Sequence, residues 1–380
     1  MRHTLFLMII FLSLSCTSRS QARRDSVYSD CSDTLSTIPA DTLRLLFVGD
    51  IMQHQAQIDA ARTKTGYDYS ECFAYVKEEI GKADLAIANL EVTLGGKPYR
   101  GYPAFSAPDE FLTAIHDAGF NVLVTANNHS LDRGRKGVER TIQLIDSLRI
   151  PHAGTYVNSD EREKKYPLLL EKNGFRIALL NYTYGTNGIT VTPPNIVNYI
   201  DTLLIAKDIE TSKALKPDAI IACMHWGIEY ASLPNKEQKF LTDWLLQKGV
   251  HHIIGSHPHV VQPIEVRTDS LMNEKHLVVY SLGNYISNMS AHRTDGGLMV
   301  RMELVKDSTV RLGNCDYSLV WTARPQQSGK KNHQLLPVNL PTELVPVKAR
   351  NSLKIFTDDA RALFSKHNRG IKEYTFYEKK

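Results

Sequence analysis

The chain has 380 residues, 42% of them hydrophobic, and 45 basic against 41 acidic side chains leave a net charge of only +4. That length allows one large domain or a domain with an appendage, on a prior of ~100–200 residues per domain. The balanced charge, with no basic stripe interleaved with aromatics, argues against nucleic acid as a partner.

The first sixteen residues, MRHTLFLMIIFLSLSC, combine a basic start at Arg2 and His3 with an apolar run from Leu5 to Leu14. The run is shorter than the ~20 apolar residues of a spanning helix, so 1–16 read as a secretion signal. Cys16 follows a small residue and precedes the polar TSRSQARRDS, an arrangement similar to a bacterial lipoprotein processing site, although Ser13 and Leu14 depart from the commonest form of that box. Acylation of Cys16 would tether the protein to a membrane surface outside the cytoplasm. An ordinary signal peptide with an incidental cysteine is the alternative. Residues 17–42, rich in Ser, Thr, Asp and Arg, read as a flexible tether. Cys31, Cys72, Cys223 and Cys315 are widely spaced and include no C-x-x-C pair, which argues against a structural zinc knot.

The main domain is expected over 43–328. LRLLFVGDIM is an apolar run of strand length ending at Gly49-Asp50, and a helical stretch follows to about Arg62. Asp50 either offers a carboxylate to a site or caps that next helix. Tyr69 to Lys82 has helical spacing, and ADLAIANLEVTL is a second buried strand running into Asn89 and Glu91. The loop RGYPAFSAPDE, with Arg100, Tyr102 and Ser106, is a candidate pocket wall. A helix over Glu110 to Ala118 and a strand over Asn121 to Thr125 lead to Asn127, Asn128 and His129.

A helix from about Arg135 to Leu148 follows. LLLEKNGFRIALLNYTYG predicts a hairpin turning at Lys172-Asn173-Gly174. Thr186 to Tyr199 is a long loop able to cover a site. A helix over Leu203 to Leu215 precedes the strand AIIACMHWG with His225, and a helix over 235–248 precedes IIGSHPHVVQP. In this last stretch Gly255-Ser256 lets the backbone turn, and His257 and His259 follow. HLVVYSLGNYISN, GGLMVRMELV and TVRLGNCDYSLVWTARP read as successive strands of an antiparallel second sheet. Residues 329–380 are expected to form a C-terminal extension with a helix near 348–367.

Five strand ends therefore carry Asp50, Asn89 with Glu91, Asn128 with His129, His225, and His257 with His259. One such histidine is more often a packed or surface residue, but successive β-α units would bring all five ends to one rim of one sheet. A mixed nitrogen and oxygen set without thiolates suits a divalent Mn, Zn or Fe ion, one or two per chain. Two ions sharing a water would clamp the attacking and leaving oxygens of a phosphoryl displacement.

VGDIM, ANLEVTL, TANNHSLDRG, MHWGIEY, GSHPHVVQP and YSLGNYIS, in this order over Leu43 to Met299, resemble the calcineurin-like metallophosphoesterase superfamily and, more closely, the CapA family of capsule and poly-gamma-glutamate synthesis. The resemblance implies an α/β, four-layer metallophosphatase-like sandwich, with two central mixed β-sheets flanked by helices. It implies Asp50, Glu91, Asn128, His225, His257 and His259 as metal ligands. Asn128, His225 and His257 would hold one ion, and His259 would reach the other beside Asp50. His129 would act on the leaving oxygen, and Asn89, Asn127 and Asn284 would orient the ligands. Met52 stands where the superfamily has a histidine, which leaves the first ion site short of a nitrogen.

The implied function is a lipid-anchored, exported envelope protein of the periplasm or outer surface. It would be a metal-dependent hydrolase acting on a phosphoester or an anionic polymer beside polymer-synthesis membrane proteins. The alternative is a non-catalytic component that binds or anchors an anionic capsular polymer during export.

Overall fold

Strict alternation in the buried strands builds this molecule in layers. The computed structural model describes residues 41–269, 274–307 and 309–377, so the expected signal, its Cys16 and nearly all of the tether lie outside the described residues. In chain order the elements are β1 (Thr42–Ile51), α1 (Gln55–Ala61), α2 (Lys77–Ile80), β2 (Leu85–Leu90), α3 (Asp109–Asp117), β3 (Val122–Val124), α4 (Gly134–Ser147), β4 (His152–Ala153), β5 (Thr155–Tyr156), α5 (Ser159–Lys165), β6 (Leu168–Lys172), β7 (Phe175–Thr183), β8 (Ile196–Val197), α6 (Thr202–Ala214), β9 (Ala219–His225), α7 (Lys236–Gln247), β10 (His252–Ser256), β11 (Ile264–Thr268), β12 (Lys275–Val279), β13 (Asn284–Ile286), β14 (Gly296–Lys306), β15 (Val310–Ala323), α8 (Pro325–Ser328), β16 (Gln334–Pro337), α9 (Arg350–His367) and β17 (Lys372–Glu373).

A nine-stranded mixed sheet runs β16-β15-β14-β1-β2-β3-β4, with β13 paired to β1 and β17 to β15, and a six-stranded mixed sheet runs β11-β12-β10-β9-β7-β6. β1 to β4 are parallel, as are β7, β9, β10 and β12.

Leu43, Leu45 and Phe47 of β1 share one apolar cluster with Ile177 and Leu179 of β7 and Ile221 and Cys223 of β9. This is the layer between the two sheets. The alternate residues Leu46 and Val48 instead meet Phe111 and Ile115 of α3 and Ile145 of α4. On the other sheet Ala178, Leu180, Ile220 and Ala222 meet Ile205 and Ile209 of α6 and Leu241 and Leu245 of α7. Period-two alternation with both faces apolar thus yields a four-layer sandwich, helix, sheet, sheet, helix, as expected. Segment 329–377 is built into it. β16 pairs with β15, and Leu353, Phe356, Ala360 and Phe364 of α9 enter the core between the sheets.

The hairpin β6-β7 turns at Asn173 and Gly174, both at positive φ, as its sequence predicts. Two expectations differ. Tyr69 to Lys82 forms a helix only at Lys77–Ile80. Tyr69, Cys72, Phe73 and Val76 still face one cluster, through turns closed by bonds such as Cys72 N to Tyr69 O (3.0 Å). The three runs after His259 do not form one antiparallel sheet. β12 lies parallel to β10 in the six-stranded sheet, β13 parallel to β1, and of these three runs only β14 and β15 pair antiparallel, in the nine-stranded sheet. Both sheets bury both faces, so the apolar pattern of a strand does not name its partner.

One consequence is measurable at acid pH. His252 is fully buried in β10 and its Nδ1 accepts from Leu277 N (3.0 Å); burial first, then His251 and His276, holds its pKa well below 6.5. The folded state keeps this ring neutral. Its stabilisation is present above the unfolded pKa and is lost as pH falls below about 6.5 toward the folded value. The slope is at most one proton, about 1.4 kcal/mol per pH unit. His252→Asn keeps an acceptor near the Nδ1 position, so urea midpoints compared at pH 7 and pH 5 should differ less in the variant than in the parent chain.

Candidate metal centre

The rim is shared between the two sheets. Asp50 and Asn89 in the last residues of β1 and β2, and Glu91 and Asn128 just past β2 and β3, belong to the nine-stranded sheet, whereas His225 ends β9 and His257 and His259 follow β10 of the six-stranded sheet. This corrects the expectation of a single sheet edge. The donors meet because the two sheets pack with the carboxyl ends of β1, β2, β3, β9 and β10 on the same side.

Local backbone chemistry aims each group. In β1 the register with β2 slips at Gly49, so that Asp50 stands opposite both Asn89 and Asn284. A Cβ on Gly49 would overlap the carbonyl oxygen of Gly283, so only glycine allows this approach. Asp50 does not cap α1, whose N-cap is His54. β10 runs straight through Gly255 and Ser256, and the turn is made by the histidines themselves, His257 at φ 100 and His259 at φ 58. Left-handed backbone at a non-glycine residue costs of order 1–3 kcal/mol and gathers at functional sites.

The polar groups form one network. Asn89 Nδ2 donates to Asp50 Oδ1 (2.7 Å) and lies 3.3 Å from His225 Nδ1. Asn127 Nδ2 donates to Asn89 Oδ1 (3.2 Å) and to the Leu90 carbonyl (2.8 Å), fixing the Asn89 amide. His225 Nε2 is 2.8 Å from Asn128 Oδ1 and 3.8 Å from Glu91 Oε1. His257 N donates to Asp50 Oδ2 (3.3 Å), and His259 Nδ1 is 3.5 Å from the same oxygen and 3.0 Å from Asn284 Oδ1. Asp50, Asn89, Glu91, Asn127, Asn128, His129, His225, His257, His259 and Asn284 are all buried in this cluster or bonded to a member of it, whereas Arg100 and Ser106 of the 98–108 loop pair with each other outside it.

The electrostatics hold His225 and His257 neutral and push His259 and Glu91 the other way. Burial, then His257 and the other nearby histidines, holds His225 well below its ordinary pKa, and burial brings His257 down to about 3. Burial also opposes charge on His259, but the bonds to Asp50 and Asn284 and the negative field of Asp50 and Glu229 outweigh it and raise that pKa. Glu91 is the extreme case. It is fully buried, both of its oxygens lack a hydrogen-bond partner among the described residues, and burial followed by the Asp50 carboxylate pushes its pKa well up. His257 Nδ1 is likewise buried without a partner. An uncompensated buried carboxylate costs several kcal/mol, and a cation held by Glu91 and Asp50, which with His259 place ligand atoms within 4.8 Å of one another, would remove that cost. The residues present fit a divalent metal.

Four site residues were not singled out from the sequence. Asp132 accepts from His129 Nδ1 (2.7 Å) and from Phe105 N (2.8 Å); the i, i+3 spacing inside TANNHSLDRG was the available signal. Glu229 of HWGIEY stands 4.0 Å from His259 Nε2. The Tyr184 ring lies 4.4 Å from His257 and stacks on His225 at 6.3 Å. Asn187 accepts from Asn128 Nδ2 (3.2 Å) and belongs, with no local signature, to the long loop expected to cover the site. From the 98–108 loop, Tyr102 meets His129 edge-on at 6.5 Å.

Fold and site together define a class: a four-layer α/β sandwich with a divalent-metal donor set at the strand ends of both sheets. Residues 44–289 match the family described as "Bacterial capsule synthesis protein PGA_cap", and the chain belongs to that family. It is 28% identical to "Capsule biosynthesis protein CapA" of Bacillus anthracis over 285 residues, 72% of this chain and 66% of that protein. It is also 28% identical to "PGA biosynthesis protein CapA" of Bacillus subtilis over 292 residues, 73% of this chain and 72% of that one. Similar solved structures include an NAD nucleotidase of Haemophilus influenzae (TM-score 0.45, 11% identity, 88% of this chain and 57% of that one). Another is the calcineurin-like phosphoesterase YfkN of Bacillus subtilis (TM-score 0.45, 14% identity, 84% and 99%).

Proposed function

We propose that this chain is a metal-dependent hydrolase of the phosphoesterase type, working in the synthesis of a bacterial capsule or poly-gamma-glutamate. The observation that carries the reading is Glu91, a buried carboxylate whose oxygens have no hydrogen-bond partner among the described residues, set against Asp50 and facing His225. Asp50, Glu91, Asn128, His225, His257 and His259 would hold one or two Mn, Zn or Fe ions. Such ions supply a water acidified toward neutral pH and a clamp for the oxygens of a displacement.

The chain's own groups supply the rest. With Nδ1–H bonded to Asp132, His129 keeps Nε2 free to hold a proton and deliver it to a leaving oxygen. Asn89, fixed by Asn127, orients Asp50 and His225, and Asn284 orients His259. Tyr102, Tyr184 and Tyr230, with 72%, 47% and 54% of their surface exposed, offer a rim for the body of a substrate.

The apolar run ending at Cys16 supports export and a lipid anchor in the cell envelope, beside membrane proteins of polymer synthesis. A second reading, a non-catalytic binder of an anionic capsular polymer, is favoured by Met52. Its side chain lies in the apolar cluster between sheet and helices and offers no nitrogen to an ion.

The test is turnover of generic phosphoesters and of poly-gamma-glutamate by the purified chain with Mn or Zn. Activity that needs added metal, and that falls at least about 100-fold in His257→Ala and Asn128→Ala, is expected. A chain that retains metal yet turns over neither substrate would establish the binding reading instead.

A further inference from the structure

We propose that Glu229 is a metal ligand: with His257 and His259 it forms a cation position on the solvent side of the cluster, in place of the imidazole that Met52 does not provide. The inference rests on the metal chemistry proposed above and assigns a residue outside the motif-derived ligand set.

Three observations carry it. First, Glu229, His257 and His259 each place a ligand atom within 4.8 Å of the others, and two imidazoles with one carboxylate suit Mn, Fe or Zn.

Second, the hydrogen bonds choose the ring nitrogen of His259. Asn284 Nδ2 donates to the Thr294 carbonyl (2.7 Å), so its Oδ1 is the atom presented to His259 Nδ1 (3.0 Å). An amide oxygen only accepts, so Nδ1 carries the proton, and the lone pair of the neutral ring is on Nε2, which faces Glu229 Oε1 at 4.0 Å. A ligating histidine usually donates its other N–H to such an oxygen. This tautomer turns His259 toward Glu229, whereas the family resemblance has it reach the ion beside Asp50. Asp50 and Glu91 are left with Asn128 and His225 as the inner set. His257, buried with its Nδ1 unpartnered, adds a second imidazole to the outer set.

Third, the two segments are tied to each other before any ion binds. Tyr230 N donates to the Pro258 carbonyl (2.8 Å), Trp226 N to the Ser256 carbonyl (3.1 Å), and Gln262 Nε2 to the Ala231 carbonyl (2.7 Å). The left-handed backbone at Gly227 and Tyr230 brackets Glu229, and His257 and His259 share that conformation. The Glu229 side chain is itself 43% exposed, so it reaches the cluster from the solvent side.

Titration of the whole chain with Mn, followed by elemental analysis and electron paramagnetic resonance, tests this. The parent chain should take up two ions and show a spin-coupled pair. Glu229→Gln and Glu229→Ala should retain one ion with unchanged affinity, lose the coupled signal, and bind the second ion at least about 100-fold more weakly. His225→Ala should instead weaken the other ion. Circular dichroism in chelator confirms that each variant is folded. If Glu229→Gln and Glu229→Ala bind metal as the parent does, with either one ion or two, the Glu229 assignment is overturned and the hydrolase reading stands. A parent chain that binds no ion at all overturns both.

Discussion

Metal-free protein is expected to melt well below the metal-loaded form, and Glu91→Gln is expected to remove most of that difference from both sides. In the metal-free chain Glu91 is buried without a hydrogen-bond donor beside the Asp50 carboxylate, which raises the free energy of the folded state. A ligand that binds only the folded state adds RT ln(1 + [L]/Kd), about 4 kcal/mol at a thousand times Kd. An amide at position 91 has a donor for Asp50 and carries no charge. The chelated variant should therefore be more stable than the chelated parent by about 1–3 kcal/mol, the cost of an unsatisfied buried group. Calorimetry of both chains, in chelator and in excess Mn, measures the four values. An equal metal response in the two would falsify the placement of Glu91 at the ion.

The second large effect is expected at Asp132, a residue that touches no substrate. Its carboxylate accepts from His129 Nδ1 and from Phe105 N, holding the ring so that Nε2 is the exchangeable position. Both bonds end on one oxygen, Oδ2, so Asp132→Ala removes the acceptor of the His129 Nδ1 proton and that of Phe105 N together. Without it the imidazole is free to turn and to carry its proton on either nitrogen, and turnover should fall by about 10²–10⁴-fold, the usual worth of a positioned acid or base. Metal stoichiometry and KM should change little, because no donor of the cluster is altered. A variant that loses metal or unfolds would instead make Asp132 a structural group. The burial that raises its pKa, opposed by the bond to His129, makes that control necessary.

Most of the site was legible in the sequence for one reason. Ligand-type side chains stop buried apolar runs at Asp50, Asn89, Asn128, His225 and His257, and the carboxyl ends of parallel strands are where such groups converge. What escaped notice lies where no run stops. Asp132 is three residues past His129 in a turn, Glu229 sits in a short irregular stretch, and Tyr184 and Asn187 reach His257 and Asn128 from the loop after β7. Asp132 alone had a local signal, its i, i+3 spacing from His129; contacts between segments far apart in the chain set the other three, and spacing carries no trace of them.

The division is physical. By itself the sequence determined the strands and most helices, the hairpin at Asn173-Gly174, the family, and the candidate donors at the strand ends, because alternation, turn chemistry and strand-end residues are local properties. Tertiary structure alone decided that the donors come from two sheets, that β12 and β14 part company, and that His257 and His259 make their own turn. It also decided which nitrogen of His259 is free, through an Asn284 amide whose orientation is set by the Thr294 carbonyl. Strands with two apolar faces carry no address for their partners, and a tautomer depends on a neighbour 25 residues away along the chain.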